Sequence, residues 1–533
     1  MSDPARARWI AALIALGLLV PPASAQHADH GSLPPELDEP IPLFSVGLGE
    51  FTRPISSANP AAQAFFDQGF ALMYAFAKVD AIRSFREAWK RDPQCAICHW
   101  GEAWAWGSYL NGPMSEDEAP HAYAALQRAL ALKGHATPKE QAFIDALSVR
   151  YVEDFDPERR VEQDRAYADA MARLSAAYPD DLDAATLYAD ALFLLEPRRG
   201  TRDIADPDVQ RLHQVLERIL AVDIEHPGAC HLYVHATEST VVPEKALACA
   251  EFLGSSMPGA SHINHMPSHT WNEVGRWADS VRANIQAWHS DQKAAIGEGV
   301  AIYPDHNLHM LLYAASMDGQ GALAMQAGKD YAARTGDTMY QVLTMLRFGR
   351  FDEILEVESR PTREIPAGMW DFARGYAHLR SGELDFARVY LARVQHAAAT
   401  SEDTFRVHPA SQLLGVGSGI LEGEILREQG DLDGAIAAFE RAVEADDALM
   451  YDEPEPLPFA ARHWLGAALL EAGRHEDAER VYWDELADHP HNGWSLFGLR
   501  QALAAGGEVS AEIEADLASS WARADVWLRA SRF

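Results

Sequence analysis

A pattern of small and aromatic residues recurs along this chain with a period close to 34 residues. In the clearest copies, at residues 423–442 and 466–482, a glycine stands seven positions before a second glycine, and an alanine and an aromatic residue follow. The pattern is clearest in residues 60–110 and 340–510 and looser in residues 110–220. Small residues let two helices pack closely, and one helix pair cannot bury its apolar face alone, so several pairs must stack. The repeat therefore predicts an all-α solenoid of antiparallel helix pairs.

The spacing within one copy resembles that of the tetratricopeptide repeat (TPR). Gly423, Gly430, Ala435, Phe439 and Ala442 stand where that family has its small residues, its turn glycine and its interhelical aromatic residue. The resemblance implies a superhelix in which the first helix of each pair lines a concave, solvent-filled groove. In this family ligands bind in that groove.

Histidines fall at equivalent places in three consecutive predicted helix pairs. His231 and His235 precede His265 and His269 by one repeat length, and His309 follows at a longer interval. The TPR register implies that these side chains line the groove together. The predicted cluster comprises His231, His235, Glu238, His262, His265, His269, His306, His309 and Tyr313.

This cluster is a candidate transition-metal site. Neutral imidazole is the commonest nitrogen ligand for copper, zinc, nickel and iron, and three or four ligands make one site. We therefore predict one or two ions, with Glu238 as a ligand, a bridge or an orienting partner of a histidine. Copper is predicted first, because the Irving–Williams order favours it and Met266 and Met310 lie nearby, and zinc or iron second.

The four cysteines are an even number, which favours disulfides in an oxidising compartment. Cys95 and Cys98 form a CxxC segment, which is predicted to be a disulfide or a reduced structural pair. Cys230 and Cys249 fall on the two facing helices of one repeat, where a disulfide would join them. The alternative for the CxxC segment is haem c attachment with His99 as the iron ligand. The CxxC segment lies at the start of a predicted helix, among packing residues, and this position disfavours haem c.

The first 25 residues are predicted to be a secretory signal peptide. Arg6 and Arg8 precede an apolar stretch at residues 9–20, and Ala23–Ala25 supplies a small-residue cleavage site. No later stretch is apolar for long enough to span a membrane, so the predicted location is the periplasm. The predicted organisation is a signal peptide at 1–25, an N-terminal extension at 26–55, an N-terminal TPR-like array with the histidine-rich groove at 56–335 and a C-terminal TPR array at 336–533.

Several segments, among them DPQCAICHWG and PGASHINHMPSHTW, together resemble a group of exported bacterial TPR proteins that carry CxxC-x-W-G and HxxHMPSH segments. The matching residues are Cys95 and Cys98 in the first and His262, His265 and His269 in the second. The resemblance spans residues 50–500 and implies the solenoid and its export. It implies no particular reaction.

The chain carries a formal net charge of −34, which repels nucleic acids and anionic lipids and favours cations. Two functions are consistent with these observations. One is a periplasmic metalloprotein, redox or hydrolytic, although no HExxH motif, Ser-His-Asp order or phosphate loop accompanies the histidines, so an enzymatic role stays open. The other is a non-catalytic TPR scaffold that binds a partner protein or peptide in its groove.

Overall fold

The computed structural model describes residues 34–44, 47–196 and 200–533. The predicted signal peptide and the following residues up to 33 lie outside this part of the chain. The described part begins with a short 3-10 helix at Pro35–Asp38 and continues as a mostly irregular segment to the first α-helix at Pro60.

Nearly all of the regular secondary structure in the described residues is α-helical. The helices of the first half are α1 Pro60–Tyr74, α2 Lys78–Arg91, α3 Ala96–Trp106, α4 Ala119–Ala131, α5 Pro138–Leu147, α6 Arg160–Ala177, α7 Leu182–Phe193, α8 Pro207–Val222, α9 Pro227–Thr237, α10 Leu247–Ser256, α11 Ser261–His265, α12 Pro267–Glu273, α13 Trp277–Ala294 and α14 Pro304–Met317. Those of the second half are α15 Gly321–Thr335, α16 Met339–Arg347, α17 Phe351–Glu356, α18 Glu364–Arg380, α19 Leu384–Thr400, α20 Ala410–Glu428, α21 Leu432–Asp447, α22 Arg462–Glu471, α23 His475–Asp488, α24 Gly493–Ala505 and α25 Ala511–Ser520.

A few short elements complete the fold. An antiparallel hairpin of β1, Thr404–Phe405, and β2, His408–Pro409, separates α19 from α20. Further 3-10 helices lie at Lys133–His135, Pro157–Arg159 and Pro243–Ala246. Among the described helices, none has both the length and the apolar character needed to cross a membrane.

The helices pack in consecutive pairs joined by short turns, as in α1 and α2, α20 and α21, and α22 and α23. Gly430 and Gly473, the turn glycines of the repeat, have φ angles of 80° and 73°, which only glycine adopts at little cost. Gly275 and Gly319, on which the histidine register depends, have φ angles of 72° and 73°. The repeat register therefore corresponds to one recurring turn.

Glycines and aromatic rings hold neighbouring pairs together. Phe85 lies between Gly69 and Gly101, where an added Cβ would come within 2.8 and 2.5 Å of its ring atoms. Tyr482 lies in the same way between Gly466 and Gly498. Because these glycines lack a side chain, a ring of α2 or α23 enters the space between two helices. The predicted all-α TPR-like solenoid is confirmed.

Replacing Gly498 with alanine is expected to lower the free energy of unfolding by about 1–3 kcal/mol, the usual cost of overpacking. The new Cβ would lie 2.1 Å from a ring carbon of Tyr482. The matched control is Gly134→Ala, where an added Cβ meets nothing within 4 Å. Urea unfolding followed by circular dichroism measures both variants, and equal stability of the two would contradict the packing role.

Two buried cores run along the solenoid, one from Leu37 to Ile302 and the other from Val281 to Leu517. The end of the second array also contacts α13, which packs against the histidine-bearing helices α11, α12 and α14. The indole N–H of Trp277 donates to the Pro490 carbonyl at 2.9 Å. The segment Tyr451–Glu455, which connects α21 to α22, lines a cavity together with residues of α12 and α14.

Candidate metal centre

Four helices supply the predicted histidines. His231 and His235 lie on α9, His262 and His265 on α11, His269 on α12, and His306 and His309 on α14. A single predicted helix is divided into α11 and α12 at Met266, where Pro267 has no N–H to continue the hydrogen-bond ladder.

All seven imidazoles are buried, each with no more than 6% of its surface exposed. The expectation of an open, solvent-filled groove is therefore wrong at this position. The physical reason is that residues distant in sequence cover the helices. These residues include Phe76, Tyr303 and Glu453, which contact or approach the imidazoles directly.

Glu238 orients two of the histidines. One carboxylate oxygen accepts a hydrogen bond from Nδ1 of His235 at 2.8 Å, and the other accepts from Nδ1 of His269. Burial and the charge of Glu453 raise the pKa of Glu238, but the interactions with His269 and His235 outweigh them and lower it to about 2. An ionised carboxylate only accepts, so both Nδ1 atoms carry the proton and each Nε2 keeps its lone pair.

His231 is held in a similar way. Its Nδ1 donates to the backbone carbonyl of Tyr74 at 2.5 Å, so its Nε2 also keeps a lone pair. Among the described residues, Nε2 of His235 is buried and has no hydrogen-bond partner. A buried lone pair without a partner is costly unless something else, such as a cation, occupies the position.

The nitrogen atoms of neighbouring imidazoles lie very close together. Nε2 of His231 is 3.1 Å from Nε2 of His262, and Nδ1 of His262 is 3.0 Å from Nε2 of His265. Nε2 of His265 is 3.4 Å from Nε2 of His269. Metal–nitrogen bonds of about 2.0–2.1 Å place neighbouring donors about 2.9–3.4 Å apart at angles near 90–110°. The His231–His262 and His265–His269 separations therefore match donors that share an ion, and N–H···N hydrogen bonds would also produce them.

The possible ligand atoms fall into three overlapping groups, within each of which they lie no more than 4.8 Å apart. The groups are His231, His235 and His262; His265, His269 and His306; and His235, Glu238, His269 and Glu453. The first two groups use six different histidines. Because Glu238 already accepts from Nδ1 of His235 and His269, we assign it as the orienting partner of both three-histidine groups.

Two members of the predicted cluster lie outside these groups. The ring of His309 packs on Tyr340 with centroids 4.2 Å apart. Tyr313 lines a cavity of about 50 Å³ together with Glu273, Glu455 and His489, and His269 lines the same cavity. Burial and the charges of Glu455 and Glu238 raise the pKa of Glu273 to about 8. The structure thus places His309 against Tyr340 and Tyr313 in a cavity beside His269.

The repeat pattern does not reveal the residues that close the site. Glu453 comes from the connection between α21 and α22, and its Oε2 lies 3.2 Å from Nδ1 of His269. The ring of Phe76 lies 4.1 Å from that of His231, and the ring of Tyr303 lies 5.2 Å from that of His262. No spacing rule links these positions, and the only local signal is the acidic, proline-rich run YDEPEP.

Two of these covering residues have strained backbone. Phe76 and Tyr303 have φ angles of 61° and 56°, in the left-handed region that bulky side chains rarely adopt. Such strain costs about 1–3 kcal/mol per residue and concentrates at functional sites. Both residues direct their rings against the histidines.

Burial keeps the imidazoles neutral. It lowers the pKa of His231, His262 and His265 well below 6.5, and the neighbouring imidazoles lower it further. The neutral form is the one that binds a metal ion. At neutral pH these three imidazoles are therefore in the protonation state that binds a metal ion.

The metal-free protein is expected to lose stability as the pH falls below 6.5, the ordinary pKa of histidine. Because these folded-state pKa values are depressed, the unfolded chain binds more protons below that pH, and the stabilisation is complete only above it. Each imidazole contributes up to about 1.4 kcal/mol per pH unit. Thermal unfolding of chelator-treated protein on either side of pH 6.5 measures the effect, and an unchanged midpoint would contradict it.

The cysteines form two disulfides, Cys95 with Cys98 and Cys230 with Cys249. The second joins α9 to α10 beside His231. In the first, neither sulfur is available for a thioether bond, and His99 stacks on Trp89 with centroids 5.1 Å apart. The CxxC segment in this arrangement does not fit the haem c alternative.

Comparison with known proteins supplies no family. No protein-family model and no curated protein matches the chain. Similar solved structures include the human IFIT1 dimer with m7Gppp-AAAA, at 11% identity over 81% of this chain and 90% of that chain, with a TM-score of 0.31. Yeast Tom70 has 13% identity over 88% and 93% of the two chains and a TM-score of 0.28. The P58(IPK) TPR domain has 10% identity over 84% and 98% and a TM-score of 0.22.

Similarities this weak indicate nothing about ligands or partners. The fold is assigned from the helix pairs, turn glycines and glycine–aromatic packing of this chain. These features and the buried imidazoles define the class: a TPR-like α-solenoid, a scaffold of repeats, that encloses a histidine cluster.

Proposed function

We propose that this protein binds two transition-metal ions inside its solenoid, one in each three-histidine group. The observation that carries the proposal is the arrangement around Glu238. This one carboxylate accepts from Nδ1 of His235 and of His269, and the buried Nε2 of His235 has no hydrogen-bond partner among the described residues. A carboxylate that orients a histidine toward an ion is a common partner in metal sites.

The proposed ions are copper first and zinc or iron second. The ligand set is entirely imidazole, and nitrogen donors bind copper most strongly among the divalent first-row metals. Three histidines leave a coordination position open, as in sites where a metal activates water or a small molecule. The proposed chemistry is accordingly redox or hydrolytic.

Metal analysis tests the proposal. The protein is purified without chelators, then stripped and reloaded with Cu²⁺ or Zn²⁺, and its metal content is measured by mass spectrometry. We expect two ions per chain and a raised unfolding temperature, because a ligand at 100 times its Kd stabilises by about 2.7 kcal/mol. His396→Ala, a change at an exposed histidine outside the cluster, should bind as much metal as the wild type. Substoichiometric metal with no thermal shift would refute the proposal.

We also propose that the protein is exported to the periplasm. The support is the two disulfides, which persist in oxidising compartments, together with the predicted signal peptide. Cell fractionation with immunodetection tests the location. Recovery of the full-length, uncleaved chain from the cytoplasm would contradict it.

The second candidate is a non-catalytic scaffold for a protein partner. It is favoured by the repeat fold and by Phe386 and Val389, large apolar side chains of α19 that are 57% and 51% exposed. If metal analysis fails, Phe386→Ser is the test of this candidate. It should abolish capture of a partner that the wild-type chain binds, whereas His396→Ala on the same helix should retain it.

A further inference from the structure

We propose that a second pocket, on the other side of Tyr109 and Tyr303 from the histidines, binds an organic carboxylate with an apolar body and is the entrance to the histidine cluster. The role as an entrance rests on the metal site proposed above. The binding of the anion does not depend on it.

The pocket has a volume of about 630 Å³, within the range of about 300–1,000 Å³ that small-molecule sites occupy. It lies where segments of the first array meet the β1–β2 hairpin of the second. Apolar side chains supply much of its wall, namely Leu110, Pro113, Phe193, Leu194 and Val407. Such walls fit the apolar body of a ligand.

Three arginines line the same pocket, in a chain whose net charge is −34. They are Arg160, Arg363 and Arg406, and among the described lining residues only Glu196 is acidic. An arginine guanidinium matches the planar geometry of a carboxylate and binds it through two parallel hydrogen bonds. Each guanidinium also pairs with a carboxylate, namely Asp164, Asp403 and Asp452 respectively. An anion is therefore favoured by the N–H donors that these pairs leave available, and not by a net positive charge.

Contacts from behind hold these guanidinium groups in place. Arg160 donates to Asp164 at 2.7 Å, and Arg363 donates to the Thr404 carbonyl at 3.0 Å. A guanidinium has five N–H donors, more than these contacts occupy, so both side chains can also bind a ligand.

Arg406 is the buried member of the three. It forms an ion pair with Asp452 at 2.6 Å, with 6% of its side chain exposed. Its φ angle of 57° places it in the left-handed region, as for Phe76 and Tyr303. Strained backbone thus recurs where the pocket meets the cluster.

Two short paths connect the pocket to the imidazoles. Tyr109 lines the pocket, and its hydroxyl is 2.7 Å from that of Tyr303, whose ring packs against His262. On the other path, Arg406 donates to the Glu453 carbonyl at 3.3 Å, and the side chain of Glu453 lies against His269. On the first path, Tyr303 alone separates the pocket from His262, a proposed ligand of one ion. On the second path, Glu453 alone separates it from His269, a proposed ligand of the other ion.

Calorimetric titration of the full mature chain, both metal-stripped and copper-loaded, tests the proposal. The probes are 3-phenylpropionate and its uncharged amide, 3-phenylpropionamide. A charged hydrogen bond is strong enough that the amide should bind at least about tenfold more weakly. Equal affinity of the two, or no binding of the carboxylate, would overturn the anion site.

Variants locate the binding. Arg363→Gln and Arg160→Gln should each weaken 3-phenylpropionate at least about tenfold with circular dichroism and metal content unchanged. Arg388→Gln, at an arginine with a half-exposed side chain that does not line the pocket, is the control and should bind like the wild type. Wild-type affinity in both pocket variants, or an equal loss in the control, would overturn the assignment.

The electron paramagnetic resonance spectrum of bound Cu²⁺ tests the entrance. Adding 3-phenylpropionate should change it, and an unchanged spectrum at saturating probe would overturn the entrance while leaving the anion site. If the protein binds the probe but no metal, the metal proposal fails and the anion site stands. If it binds metal but not the probe, the anion site fails and the metal proposal stands.

Discussion

Replacing His235 with alanine is expected to remove one of two bound metal ions, and replacing His306 is expected to remove the other. His235 belongs to the group with His231 and His262, whereas His306 belongs to the group with His265 and His269. Each variant leaves two imidazoles in the damaged group, too few to hold an ion without exogenous ligands, and the other group intact. Metal content per chain should fall from about two ions to about one.

Mass spectrometry of the reloaded variants measures this effect, with far-ultraviolet circular dichroism to show that the helices persist. The matched control is His396→Ala, which changes an exposed histidine of α19 and should leave both ions in place. Loss of all metal in either single variant would mean that the histidines share one ion. Retention of two ions in both variants would mean that the metal lies elsewhere.

Replacing Glu238 with glutamine is expected to weaken the binding of the ion in one group by about 10–100-fold and the binding of the other ion less. The carboxylate accepts from Nδ1–H of His235 and of His269, whereas an amide accepts through one oxygen and presents an N–H₂ donor to the second imidazole. To avoid two facing donors, that imidazole must move its proton to Nε2. This removes the lone pair that would bind the metal.

Titration against a competing chelator measures the affinity of each ion. Glu244→Gln is the control, since Glu244 is exposed and follows Glu238 by only a few residues. Glu238→Gln should also be less stable than the wild type without metal, because a buried unsatisfied donor costs about 1–3 kcal/mol. Wild-type affinity in Glu238→Gln would contradict its role as the orienting partner of both groups.

Much of the fold could be predicted from local residues. A turn glycine such as Gly430 and an aromatic such as Phe439 act within one helix pair, so their spacing is visible in a short stretch of sequence. The same periodicity predicted that His231, His265 and their neighbours come together, because consecutive helix pairs stack at a constant repeat. The structure brings six of the predicted histidines into two groups.

One predicted histidine lies apart from the two groups, where the chain departs from that repeat. His309 has the same predicted register as His265, yet its ring packs on Tyr340. The connection before α14 is longer than the repeat requires, so the repeat spacing alone does not fix the place of every side chain on that helix.

The sequence by itself determined the repeating helix pairs, their turns and which helices carry the imidazoles, because each depends on residues within one or two repeats. Only the tertiary structure decided that the cluster is buried, that Glu238 orients both histidine groups and that Glu453 closes the site. Glu453 follows His269 by more than five repeat lengths, and its approach depends on the curvature accumulated over all the helix pairs between them. Small rotations at each pair add up to that curvature, and no local pattern of residues specifies their sum.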